Sequence, residues 1–285
     1  MGGWRVEVLS HHRLDGPMAP AAREVVLPLE PTVRRVVLAD VGDGRIVGEG
    51  QDLASIGADG RERWRHRCAG KPHEAHVSGN RLLALTYSPD YHAWGFLGPA
   101  LLFDLDSGRQ IAELRGERGS PVGGGRFVLG LGGYDVFDTW LHDRDGTLLT
   151  TWRSYGHYVP DLDGTVRVVE RGRSKASRVV RLLPDGGIER GPRLSHGQVS
   201  RPVVLADGTI VVLDAGVLRA VDRRLQDTVL AELLPVPPDE AWRFHGELSL
   251  VDDRLTVTVQ ERSREVPISH VTRTWSLAVL RPSHG

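Results

Sequence analysis

Short hydrophobic runs separated by turn residues recur along the whole chain, with almost no helical periodicity between them. Six segments share one form, a turn ending in Gly, Asn or Asp followed by an apolar strand: "GDGRIVG", "SGNRLLAL", "GGGRFVLGL", "LDGTVRVV", "ADGTIVVL" and "VDDRLTVTV". Their first strand residues are Arg45, Arg81, Arg126, Thr165, Thr209 and Arg254, spaced by 36, 45, 39, 44 and 45 residues. After most of these strands comes a hairpin on a tight turn, as in "LASIGADGRERW", "LLFDLDSGRQIAEL", "TWLHDRDGTLLTTW" and "RVVRLLPDGGIERG"; "GVLRAVDRRLQDTVL" is a glycine-free version. Asp-Gly and Ser-Gly suit such turns because glycine takes the positive φ that they require. Short strands repeating at this period predict an all-β chain built of four-stranded β-propeller blades.

Six pairs of inner strands predict a single six-bladed propeller domain spanning residues 1–285. The last unit ends with "RTWSLAVLRPS" as its third strand, so its fourth must come from the N-terminus, from "WRVEVLS" or "REVVLPLE". Such a strand closes the ring, which otherwise exposes two unpaired edges. Seven blades are the alternative, with those two N-terminal segments forming a partial blade alongside the C-terminal strands. The hairpins resemble the repeats of quinoprotein-like and WD-type propellers, where an Asp or Thr-Gly turn precedes a strand carrying a tryptophan, as Trp64 and Trp152 do here. No blade carries the Trp-Asp dipeptide with its partner histidine, so the resemblance marks a superfamily and no specific family or activity.

In a propeller the turns between first and second and between third and fourth strands share one face. The longer connections occupy the other, and loops on a rigid scaffold are where sites usually occur. His73 lies eight residues before Arg81, His157 eight before Thr165 and His245 nine before Arg254, in alternate units of the six. Arg118 and Arg201 hold the same offset in the third and fifth units, and Val37 in the first. This alignment predicts a ring of His, Arg, His, Arg and His at the mouth of the central channel. Three neutral imidazoles would suit Zn²⁺ or Mn²⁺ with an open position, and the arginines a carboxylate or phosphate. His76, His196, and Glu74 or Glu247 are further candidates as ligands or as a general base. The plainer account is that all of these are solvated or hydrogen-bonded channel residues.

Other features on the same face are the aromatic connection "YSPDYHAWGFLGP", with Tyr87, Tyr91, His92, Trp94 and Phe96, and the wall candidates Tyr134 and Asp135 of "GLGGYD". That glycine motif precedes no helix and so lacks the context of a dinucleotide loop. "DLDSG", "DRDG" and "DLDG" lack the spacing of a calcium loop and read as turns. "ERGRSKASR" is a short basic loop.

Composition narrows the functions. With 36 basic and 37 acidic residues the formal net charge is -1, which gives no global field toward nucleic acid or an anionic membrane. Lys71 and Lys175 are the only lysines, an arginine bias that suits a GC-rich bacterial genome. Cys68 stands alone, so no intrachain disulfide or cysteine-based zinc finger is available, and its setting reads as packed rather than nucleophilic. No signal sequence or long apolar run is evident, and a cytoplasmic location is the expectation.

Two functions follow as expectations. The first is a binding protein that recognises a peptide, protein or small anionic ligand on the looped face. The second is a metal-dependent enzyme of lyase or hydrolase type, with His73, His157 and His245 in the channel. In site geometry alone it resembles six-bladed hydroxyglycine-amide lyases and propeller-fold uronate lyases.

Overall fold

The computed structural model describes residues 4–17, 35–93, 95–133, 136–161, 163–171, 177–194, 199–263 and 269–280. After the N-terminal strand β1 (Arg5–Pro17), four strands form the first sheet: β2 (Val36–Val41), β3 (Gly44–Glu49), β4 (Asp52–Ile56) and β5 (Glu62–Arg67). The second holds β6 (Lys71–Ser78), β7 (Arg81–His92), β8 (Gly95–Asp104) and β9 (Gln110–Leu114). The third holds β10 (Arg118–Gly123), β11 (Arg126–Gly133), β12 (Val136–His142) and β13 (Leu148–Trp152). The fourth holds β14 (Gly156–Pro160), β15 (Val166–Glu170), β16 (Arg178–Leu182) and β17 (Ile188–Arg193). The fifth holds β18 (Val203–Val204), β19 (Ile210–Asp214), β20 (Val217–Val221) and β21 (Asp227–Glu232). In the last, β22 (Phe244–Val251), β23 (Arg254–Arg262) and β24 (Ser269–Leu280) are joined by β1. The segment Pro238–Arg243 is the only helical one among the described residues, a 3₁₀ turn.

Five sheets pair their strands in chain order, the last adds β1 beside β24, and these six four-stranded sheets match the blades of a six-bladed β-propeller. The turn-derived positions hold closely: β7, β11 and β23 begin at Arg81, Arg126 and Arg254, and β3, β15 and β19 begin within one residue of their expected starts. "WRVEVLS" is the strand that completes the last sheet, with β1 running antiparallel to β24 from Arg5↔Leu280 to Pro17↔Ser269. "REVVLPLE" lies outside the described residues.

The chain divides into two compact units, Leu27–Val168 with Arg181–Glu189, and Met1–Val26 with Val169–Val180 and Arg190–Gly285. Within the first, β7 shows why its second strand is apolar without interruption. Leu82 and Ala84 pack with Ile46, Leu53 and Phe103 of the first two sheets, whereas Leu83 and Leu85 pack with Phe127 and Leu129 of the third. Alternate side chains of one strand therefore serve two sheet-to-sheet layers, and a polar residue on either face is buried. Trp64 Nε1 donates to Leu105 O at 2.8 Å and Trp152 Nε1 to Leu183 O at 3.1 Å. Both tryptophans flagged by the repeat thus tie the outer strand of one sheet to a turn of the next.

In the second unit, Leu255, Val257, Trp275 and Leu277 form the core with Val211, Leu213 and Leu218. The glycine-free hairpin there keeps the geometry of its relatives. Asp222 Oδ1 accepts from the amides of Arg224 and Gln226 at 2.8 Å each, and Leu225, with φ +62, takes the place filled elsewhere by glycine. Its side chain is buried, and this offsets the strain of a left-handed non-glycine residue.

Candidate functional site

The first strands of the second, third and fourth sheets, β6, β10 and β14, pack in turn within one unit and carry a run of polar side chains. Arg118 on β10 donates through Nε to Tyr155 Oη at 2.7 Å and through Nη1 to His157 Nδ1 at 2.8 Å. Tyr155 Oη in turn donates to Glu117 Oε1, which also accepts from the Gly132 amide at 3.1 Å. Burial first, and then the Glu117 bond, push the Tyr155 phenol pKa up, so the phenol keeps the proton it donates. Arginine only donates, so His157 Nδ1 is an acceptor and the ring is neutral with its proton on Nε2. Nearby, Thr139 Oγ1 donates to Ser154 O at 2.5 Å and stands 2.7 Å from Tyr158 Oη, which is therefore the donor to it.

Gly130 and Gly132 make room for this network, two residues apart on one face of β11. A Cβ at Gly130 would stand 1.6 Å from Tyr158 Oη, and one at Gly132 would stand 2.3 Å from the Tyr155 ring. Gly130→Ala is expected to cost about 1–3 kcal/mol by overpacking, and Tyr158→Phe in the same chain to restore part of it. Urea unfolding of the single and double variants checks this.

The structure brings two members of the predicted ring, Arg118 and His157, into contact. His73 is the extra residue of a β-bulge between Pro72 and Glu74, and its ring stacks on Tyr87 with centroids 3.8 Å apart. Burial lowers its pKa below the ordinary 6.5. His76 Nε2 is 3.2 Å from Glu74 Oε1 but out of line for a hydrogen bond. His245 is 71% exposed, 3.7 Å from Glu247, and Arg201 is exposed beside Ser200. Among the described residues no three His, Cys, Asp or Glu side chains gather where they could hold a metal ion.

Trp94, Tyr134, Asp135 and His196 lie outside the described residues, as do the side chain of His92 and residues 172–176 of the basic loop. Cys68 is buried, and burial followed by the Asp52 charge pushes its thiol pKa up to about 12, consistent with a packed residue. The Asp-rich turns hold their own backbone: Asp143 Oδ1 accepts from the Asp145 and Thr147 amides, and Asp104 Oδ1 from Ser107.

The aromatic connection of the second sheet differs from its expected form. β7 and β8 extend into it as an irregular hairpin: they pair at Tyr87↔Leu97 and again at His92↔Gly95, and the register shifts between these pairs, where residues 88–91 bulge opposite Phe96. Tyr91 is 72% exposed and Phe96 is 54% exposed, their rings edge to face at 5.3 Å. At the base of this hairpin a cleft of about 930 Å³ opens. It is lined by Glu49–Asp52 between β3 and β4, by Arg35, Arg65, Arg67 and Lys71, and by Tyr87, Ser88 and Pro89. The cleft lies at the end of these two sheets where β3 turns into β4 and β7 into β8. Two glycines allow close backbone packing at the base of the hairpin: a Cβ at Gly70 would stand 2.4 Å from Tyr87 O, and one at Gly98 2.3 Å from Thr86 Oγ1.

Sequence reasoning missed Glu117, Tyr155 and Tyr158, and also the cationic group Arg35, Arg65, Arg67 and Lys71. The alternate glycines of "GLGG" were a usable signal, since they leave one strand face without side chains where rings can lie. Arg65 and Arg67 show the same alternation on β5.

Neither a protein-family model nor a curated protein sequence matches the chain. Solved structures similar to it include BamB from Moraxella catarrhalis, at 17% identity over 87% of this chain and 82% of that one, with a TM-score of 0.42. Hsv2 from Kluyveromyces lactis gives 10% identity over 85% and 87%, with a TM-score of 0.49. The β-propeller domain of the Trilobed protease from Pyrococcus furiosus gives 11% identity over 83% of each chain, with a TM-score of 0.44.

Proposed function

We propose that this chain is an interaction module that holds a protein or peptide partner at the end of its sheets bearing the extended β7–β8 hairpin. One observation carries the reading: Tyr87, Tyr91 and Phe96 are each more than half exposed along this hairpin. Large aromatics are costly to leave in water and supply much of the energy of protein interfaces. Scattered single hydrophobic residues need no explanation, but an edge-to-face pair at the end of an arm beside a cleft is a contact surface.

The test is affinity capture with the wild-type chain and with Tyr91→Ser/Phe96→Ser, both checked for equal thermal stability. A partner retained by the wild type is expected to fall by at least about tenfold with the variant. Equal recovery of the same proteins by both chains would overturn the reading.

A further inference from the structure

We propose that the cleft beside the hairpin takes an acidic peptide segment, whose carboxylates meet Lys71, Arg67 and Arg35 while an apolar side chain of the segment lies on Tyr87. This rests on the interaction-module reading and names the chemistry of its ligand.

Charge selects the ligand. Four lining residues are cationic and two are anionic, and the two anions are already engaged. Arg65 holds Glu49 at 3.3 Å and Asp52 at 3.1 Å, together with Glu62 at 2.8 Å just outside the cleft. Its guanidinium is thus a structural tie. The other three cations keep donors to spare. Among the described residues Arg35 reaches only Glu49, at 3.3 Å, and it is 48% exposed. Arg67 is 70% exposed, touching Asp52 at 3.4 Å and Gln51 at 2.7 Å. Lys71 is exposed and has no side-chain partner among the described residues. A carboxylate entering here meets net positive charge and an unfilled donor set, where a cationic segment is repelled.

Tyr87 supplies the second requirement. Its ring stacks on His73 at an interplanar angle of 16°, and it remains half exposed. His73 is fixed by the bulge and uncharged at neutral pH, so it backs the tyrosine as a flat, rigid platform at little entropic cost to a ligand. The cleft volume stands at the upper end of the range for small-ligand sites. It also runs into the hairpin that carries Tyr91 and Phe96. An extended segment several residues long can use both features, and a lone small anion cannot.

The probes are two fluorescein-labelled pentapeptides, Glu-Glu-Trp-Glu-Glu and Lys-Lys-Trp-Lys-Lys, titrated by anisotropy into the whole chain at low ionic strength. The acidic peptide is expected to bind and the basic one not, with Lys71→Glu and Arg67→Gln each weakening binding about tenfold and added salt doing the same. Tyr87→Ser is expected to weaken the tryptophan peptide more than a pentaglutamate. Charge-blind binding, or no effect of either cleft variant, would overturn the proposal. So would inorganic phosphate occupying the cleft with the same variant dependence and displacing the peptide. Loss of captured partner in Tyr91→Ser/Phe96→Ser, with no effect of the cleft variants, overturns this proposal and leaves the interaction module standing. If neither set of variants changes binding, both readings fall.

Discussion

A chain lacking residues 1–17 is expected to lose its cooperative fold and to be recovered as aggregate. β1 supplies the outer strand of the last sheet, paired along nearly its whole length with β24. Its loss strips one side of β24 of partners, at about 1 kcal/mol for each ladder hydrogen bond. It also uncovers the buried Trp275, on which His11 stacks at 4.6 Å, and removes Trp4, whose indole donates to Asp207 at 2.7 Å. Set against a total stability of about 5–15 kcal/mol, these losses exceed the margin. They also leave a long, unprotected edge that invites aggregation. Circular dichroism and gel filtration of the truncated chain check this, and a synthetic peptide of residues 4–17 is expected to restore a cooperative transition when added in excess. A monomeric truncated chain with an unchanged midpoint would contradict the assignment.

Arg167→Met is expected to destabilise the protein by about 3–5 kcal/mol, the cost of breaking a buried ion pair from one side. The Arg167 side chain is 0% exposed and its partner Asp161 is 6% exposed. The guanidinium fork meets both carboxylate oxygens, Nε to Oδ2 and Nη2 to Oδ1, at 2.8 Å each. Without the arginine, Asp161 is left charged in an environment that offers little solvent. Asp161→Asn combined with Arg167→Met is expected to recover part of the loss, because the orphaned charge is then removed. Urea denaturation measures both variants, and a loss below about 1 kcal/mol in the single variant would mean that water reaches the pair.

The blades were readable because turn chemistry and strand period agree at every repeat. Asn80, Gly125 and Asp253 each end a turn, and the next residue opens the second strand of a sheet. A count of strands required a fourth strand from the N-terminus for the last sheet but did not choose between "WRVEVLS" and "REVVLPLE"; the pairing of β1 with β24 makes that choice. The candidate site was harder to read, because its residues come from different strands and their offsets only approximate three-dimensional positions. The eight-residue offset did bring Arg118 against His157. At His73 a bulge sets the imidazole against Tyr87, and an offset count has no means of registering a bulge. Arg167 was hidden in "LDGTVRVV" for a related reason: an arginine inside an apolar strand looks like an outward-facing residue until its partner is located.

The most direct test of the binding account is hydrogen–deuterium exchange of the whole chain with and without saturating Glu-Glu-Trp-Glu-Glu peptide. The account predicts slowed exchange confined to the stretch around Arg35, to residues 49–52 and 65–71, and to the hairpin residues 87–97, the cleft and its arm. Protection centred instead on β10 and β14, around Arg118, Tyr155 and His157, with the cleft unchanged, would contradict it.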